Sequence, residues 1–88
     1  MTSGRDVGRL VHLLRNTPVR ELMSALERGD FILRRTTRTG GHIYTHPDGR
    51  IAVIHYHRGS DTLTRKTLQR VLEGTRWTEE DLRRLGLL

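Results

Sequence analysis

The sequence predicts an α+β fold in which a three-stranded antiparallel sheet packs on helices, with an additional helix before this unit and another after it. Three observations carry that expectation. Apolar residues repeat at helical spacing before residue 30 and after residue 63, and they alternate at strand spacing between residues 42 and 57. Pro47-Asp48-Gly49 marks a tight reversal between the two alternating runs. With 88 residues the chain is one domain. Its expected divisions are a helical extension over 1–16, a core over 17–74 and a second helical extension over 75–88.

The first helix is expected from Val7, Leu10, Val11 and Leu14, which fall on one face. Ser3 and Asp6 can form a capping box at its start. Gly8 weakens it, and His12, off the apolar stripe, reads as an exposed or partly packed histidine. Thr17 as N-cap and Pro18 as first helical residue open the second helix. Val19, Leu22, Met23 and Leu26 give that helix a core face, and Gly29 closes it. Phe31, Ile32 and Leu33 then give way to Arg34 and Arg35, as expected of a strand leaving the core for solvent. The loop Thr36 to Gly41 contains two glycines, which suit a connection between antiparallel strands and also permit close approach of a ligand backbone.

In the hairpin, alternation groups His42, Tyr44 and His46 on one face of the first strand. On the second strand, Ile51, Val53, His55 and His57 share one face and Ala52, Ile54 and Tyr56 the other. Both faces are partly apolar, so either can meet the helices. The next helix is capped by Thr64, carries Leu68, Val71 and Leu72 inward, has Leu63 as a staple onto Leu68 and ends at Gly74. Thr78 caps the last helix, with Glu79, Glu80 and Asp81 in its first turn, Arg83 and Arg84 in its last, and Trp77 as a staple onto Leu82. That helix obeys the macrodipole, whereas the preceding one places Arg65 and Lys66 in its first turn. Two exposed cations there cost only a few tenths of a kcal/mol. Equally, they suit an anion such as phosphate.

The net charge is +6, and residues 31–76 hold all of the excess, with nine basic and three acidic side chains. A field of that sign attracts phosphate backbones. Arg34, Arg35, Arg38, Arg50, Arg65 and Lys66, with the backbone of Gly40 and Gly41, are the expected RNA contacts. The absence of cysteine excludes disulfides and thiolate metal sites. No apolar signal core or membrane-length run is evident, so a cytoplasmic protein is expected. Walker, dinucleotide and Ser-His-Asp patterns are also missing.

Histidines are the remaining chemistry. Imidazole has an unperturbed pKa near ~6.5 and can take a proton at neutral pH. His42, directly after the basic loop, marks a plausible site for cutting or gripping RNA, and His57 is a candidate second proton-transfer group beside it. A rival reading assembles His46, His55 and His57 into a metal site, against which stands the lack of a nearby acid. No metal or other cofactor is expected. Tyr44 and Tyr56 suit a half-buried sheet better than base stacking.

The central order α-β-β-β-α is that of double-stranded-RNA-binding domains. Within it, VRELMSALERGDFILRR, GGHIYTHPDGR and TLTRKTLQRVLEG resemble HicA, the toxin of bacterial HicA/HicB toxin–antitoxin systems, over residues 19–74. The resemblance implies a double-stranded-RNA-binding-like fold, a ribosome-independent endonuclease acting on messenger RNA, and a HicB-like antitoxin partner covering the active face. It also implies His42 as catalytic histidine and Gly40 as loop glycine. One departure is Gly41, where the family usually has Ser, which predicts a missing hydroxyl contact and a looser loop. The resemblance assigns no role to the two helical extensions. Two further readings are a noncatalytic RNA-binding module of the same fold and a domain that only pairs with a protein.

Overall fold

The order of elements in the computed structural model, which describes residues 6–88, is the expected one. Helices α1 (Val7–Leu14) and α2 (Val19–Arg28) precede strands β1 (Ile32–Thr36), β2 (Gly41–Thr45) and β3 (Ile51–His55), and helices α3 (Arg65–Thr75) and α4 (Glu79–Arg84) follow. The sheet is antiparallel throughout, in the order β1-β2-β3.

Asp6 caps α1 by accepting the Arg9 backbone N–H at 3.2 Å; its expected partner Ser3 lies outside the described residues. The start of α2 departs from expectation. Pro18, not Thr17, is the N-cap residue, and no side chain caps this helix. The free N–H groups of Val19 and Arg20 instead donate to the carbonyls of Asp61 and Gly59 at 2.7 and 3.0 Å, and Pro18 bridges to Thr62. A distant loop has taken over the work of a local cap.

Burial decides the two faces of the sheet. Tyr44, Ala52 and Ile54 are at most 1% exposed and face the helices, whereas Ile51 and Val53 on the other face are 54% and 36% exposed. Leu22, Leu26, Phe31, Leu68 and Leu72 complete the centre of the core. The extensions join that same core, through Leu10, Val11 and Leu14 from α1 and through Trp77, Leu82 and Leu85 around α4. An ion pair between Arg9 and Glu79, at 2.6 Å, links them to each other.

Helix α3 does not end at Gly74. It runs on to Thr75, and Arg76 takes the left-handed conformation at φ 58°. Gly74 is inside the helix because α3 packs directly on β3: a Cβ there would stand 2.2 Å from the Ile51 carbonyl oxygen.

The expected cap of α4 is present as a full capping box, with Thr78 and Asp81 accepting each other's backbone N–H groups. Burial raises the pKa of Asp81, but hydrogen bonds from Thr78 and Arg84 outweigh it and hold the carboxyl below its usual range. A depressed folded-state pKa gives stability that is present above the unfolded value near ~3.9 and lost as pH falls through the folded one. Asp81→Asn is therefore expected to cost about 1 kcal/mol in thermal melts at neutral pH and clearly less at about pH 2. A gap that is equal at both pH values would refute this.

Candidate active site

The loop between β1 and β2 is a closed turn built around Thr37. Its backbone N–H donates to the Gly41 carbonyl at 2.7 Å, its carbonyl accepts from Gly40 N–H at 3.1 Å, and its hydroxyl accepts from Gly41 N–H at 2.9 Å. Gly40 has φ 90°, a conformation open to glycine and strained for other residues. The Gly40 carbonyl points at His42, with Nδ1 at 3.0 Å. A carbonyl only accepts, so Nδ1 carries the hydrogen, and in the neutral imidazole the lone pair is on Nε2.

Tyr56 holds the same ring from another side. The His42 and Tyr56 rings stack at 4.4 Å between centroids and 29° between planes, and Tyr56 N–H reaches the Gly40 carbonyl at 3.4 Å. His42 thus has a fixed tautomer and a fixed plane. From the sequence, Tyr56 suits only a half-buried sheet. The hairpin register, which pairs His42 with Ile54, was the signal that places residue 56 diagonally beside residue 42.

Gly41 is buried, and its missing side chain leaves room that the protein itself fills. A Cβ there would lie 2.7 Å from His55 Nε2 and 2.8 Å from the Thr37 hydroxyl. The Thr37 hydroxyl stands in that space and accepts the Gly41 N–H, which braces the loop. We expect Gly41→Ser to cost about 1 kcal/mol, read as a fall of roughly 4–8 °C in melting temperature, with His55→Ala in the same chain restoring much of it. Independent, additive losses in the double variant would show that residues 41 and 55 do not share this space.

The other histidines are separated. Gly41 pairs with His55 and Thr45 with Ile51, so His55 and His57 lie at the loop end of the hairpin and His46 lies at its turn end. His46 is occupied there by Asp48 at 2.9 Å and by the edge of Phe31. The three imidazoles of the rival metal reading do not converge. Among the described residues, no group of three or more His, Cys, Asp or Glu is placed to hold a metal ion. His55 projects from the open face and His42 from the helix-facing one. His57 is exposed and lines a cleft of about 380 Å³ with Tyr56, Asp61 and Thr64.

The arginines also divide. Arg38 is exposed at the loop tip. Arg34 sits at a bulge in β1 and donates to the Thr45 hydroxyl at 2.9 Å, while Arg35 pairs opposite Ile43. Arg65 and Lys66 are exposed in the first turn of α3, which holds no acid. Arg50 is not brought to the loop. At the far turn, its guanidinium donates to Asp48 and to the Thr75 carbonyl and lies 5.1 Å over the Phe31 ring, tying the hairpin to the end of α3. Composition could not separate this structural arginine from the others.

Burial raises the Tyr44 pKa, with Glu27 and Tyr56 adding to the effect, in keeping with a core phenol beneath the site. No helix among the described residues is long and apolar enough to cross a membrane.

No curated protein matches the chain. A family model described as the HicA toxin of bacterial toxin–antitoxin systems matches residues 19–77, which run from the first residue of α2 through β1, β2, β3 and α3 to Trp77. That span contains the braced loop, His42 and Tyr56, and it covers well over half of the chain, so the chain belongs to the HicA toxin family of bacterial toxin–antitoxin systems.

Proposed function

We propose that this toxin is a metal-independent endoribonuclease acting on messenger RNA, with His42 as general base. The observation that carries the proposal is the fixed His42 ring, with Nδ1–H committed to the Gly40 carbonyl and the ring face against Tyr56. Nε2 takes the proton of the attacking hydroxyl as its oxygen bonds to phosphorus, and the leaving 5′-oxygen departs with a proton from a general acid. His57 is a candidate for that acid, because it lies in the cleft beside Tyr56. Arg34, Arg35 and Arg38, with Arg65 and Lys66 at the α3 N-terminus, supply positive charge for the phosphate. Gly40 and Gly41 shape the loop. A HicB-like antitoxin would silence the toxin by covering this face.

Incubating purified protein with a mixed messenger RNA in EDTA tests the reading. Degradation supports it, provided that it depends on His42. Retention of intact RNA at low salt, without cleavage, favours a noncatalytic RNA-binding module of the same fold. No retention at all would leave only a protein-pairing role.

A further inference from the structure

Helix α1 lies before the family match, yet it shares a cleft with the core. The cleft measures about 470 Å³, and Val11, His12, Arg15 and Asn16 line it from one side and Leu63 and Arg65 from the other. Its floor is apolar, its rim is cationic or amide, and no carboxylate is among its lining residues. The arginine within α1 and the one at its C-cap have different fates. Arg9 is committed to Glu79, whereas Arg15 forms no ion pair among the described residues.

Arg15 is nevertheless ordered. One guanidinium nitrogen donates to the His12 carbonyl at 2.8 Å and approaches His12 Nε2 at 3.1 Å. A guanidinium only donates, so His12 Nε2 accepts, and the other donors of the fork are left for a ligand. Arg65 faces the same cleft, likewise without an ion pair among the described residues. Leu63 also lines the second cleft, the one that contains Tyr56 and His57. Leu63 is thus common to the cleft beside the His42–Tyr56 stack and to the one that Arg15 lines.

We propose that α1 adds a phosphate-binding subsite for single-stranded RNA, formed by Arg15 and Arg65 over the apolar floor of Val11 and Leu63. This rests on the RNA reading of the His42 site and extends it. A sugar or base can lie on the apolar floor while the two guanidinium groups hold the phosphate.

Binding of fluorescein-labelled oligouridylate to the full chain carrying His42→Ala, followed by anisotropy across a salt series, tests the proposal. Two lengths are compared, about 20 and about four nucleotides. Adding Arg15→Gln, which leaves the His42 site's own cations in place, is expected to weaken binding of the longer RNA roughly tenfold and to flatten the salt slope by about 0.7, the share of one phosphate. The deficit should shrink for the shorter RNA, and Arg15→Lys should keep the slope. Melting curves of each variant confirm that the fold is intact. Unchanged binding of both lengths, alongside weakened binding by Arg38→Gln, would overturn the subsite and leave the RNA reading standing. An equal loss at both lengths would mark a general charge effect and also overturn it. If the parent holds neither RNA even at low salt, the RNA reading fails first and the subsite falls with it.

Discussion

Replacing His42 by Ala is expected to lower the rate of RNA cleavage in EDTA by roughly 10²- to 10⁴-fold, the usual worth of a general base. The fold should survive. His42 is only half-buried, its strand neighbours are held by backbone pairing, and the lost stack on Tyr56 is worth about 0.5–1.5 kcal/mol. RNA binding should survive too, because the exposed Arg38, Arg65 and Lys66 are untouched. Loss of cleavage with retained binding and a melting temperature within a few degrees of the parent is thus the signature of a catalytic histidine. A variant that cuts as fast as the parent would remove His42 from the mechanism. A variant that has lost its melting transition would identify it instead as a packing residue.

Gly74→Ala should destabilise the protein, although helix propensity alone predicts the reverse. Alanine in a helix interior gains about 1 kcal/mol over glycine. Here the added methyl would meet the Ile51 carbonyl oxygen at 2.2 Å, with the Ile51 carbon and Ala52 Cα close behind at 3.3 and 3.5 Å. These are backbone atoms of β3, so neither a rotamer change nor a small side-chain shift relieves the clash. Helix α3 must lift from the strand, with Leu68, Val71 and Leu72 drawn out of the core. An overpacking cost of about 3 kcal/mol less the propensity gain leaves a net loss of about 2, a fall of roughly 8–16 °C in melting temperature. The opposite sign in a thermal or urea melt would mean that α3 does not pack this closely on β3.

The helices were legible because their signals are local. Apolar spacing placed α1, α2 and α3, and Thr78 announced the cap of α4. Features that failed to show depend on residues far apart in sequence. The cap of α2 is a pair of carbonyls around residue 60, so Thr17 had no cap to make. Gly74 read as a helix end because its neighbour, the Ile51 carbonyl, is invisible to local spacing. In the site, His42 and the glycine loop were legible from sequence, and the family match spans them. Arg50 looked like one more surface cation, and only the hairpin register and the position of α3 show it bound to Thr75 and Phe31. The partnership of His55 with Gly41 arises in the same way, from a cross-strand pairing with no local trace.

The β1 bulge bears on how such a small sheet avoids growing. Strand β1 is an edge strand whose five residues are all exposed, a geometry that invites another chain to add a strand. Arg34 interrupts its hydrogen-bonding ladder, and Arg35 follows immediately. At the opposite edge, β3 is covered by α3 at Gly74. One border is thus kinked and charged and the other is shut by a helix, which disfavours aggregation through open-ended strand pairing even when the toxin accumulates without its antitoxin.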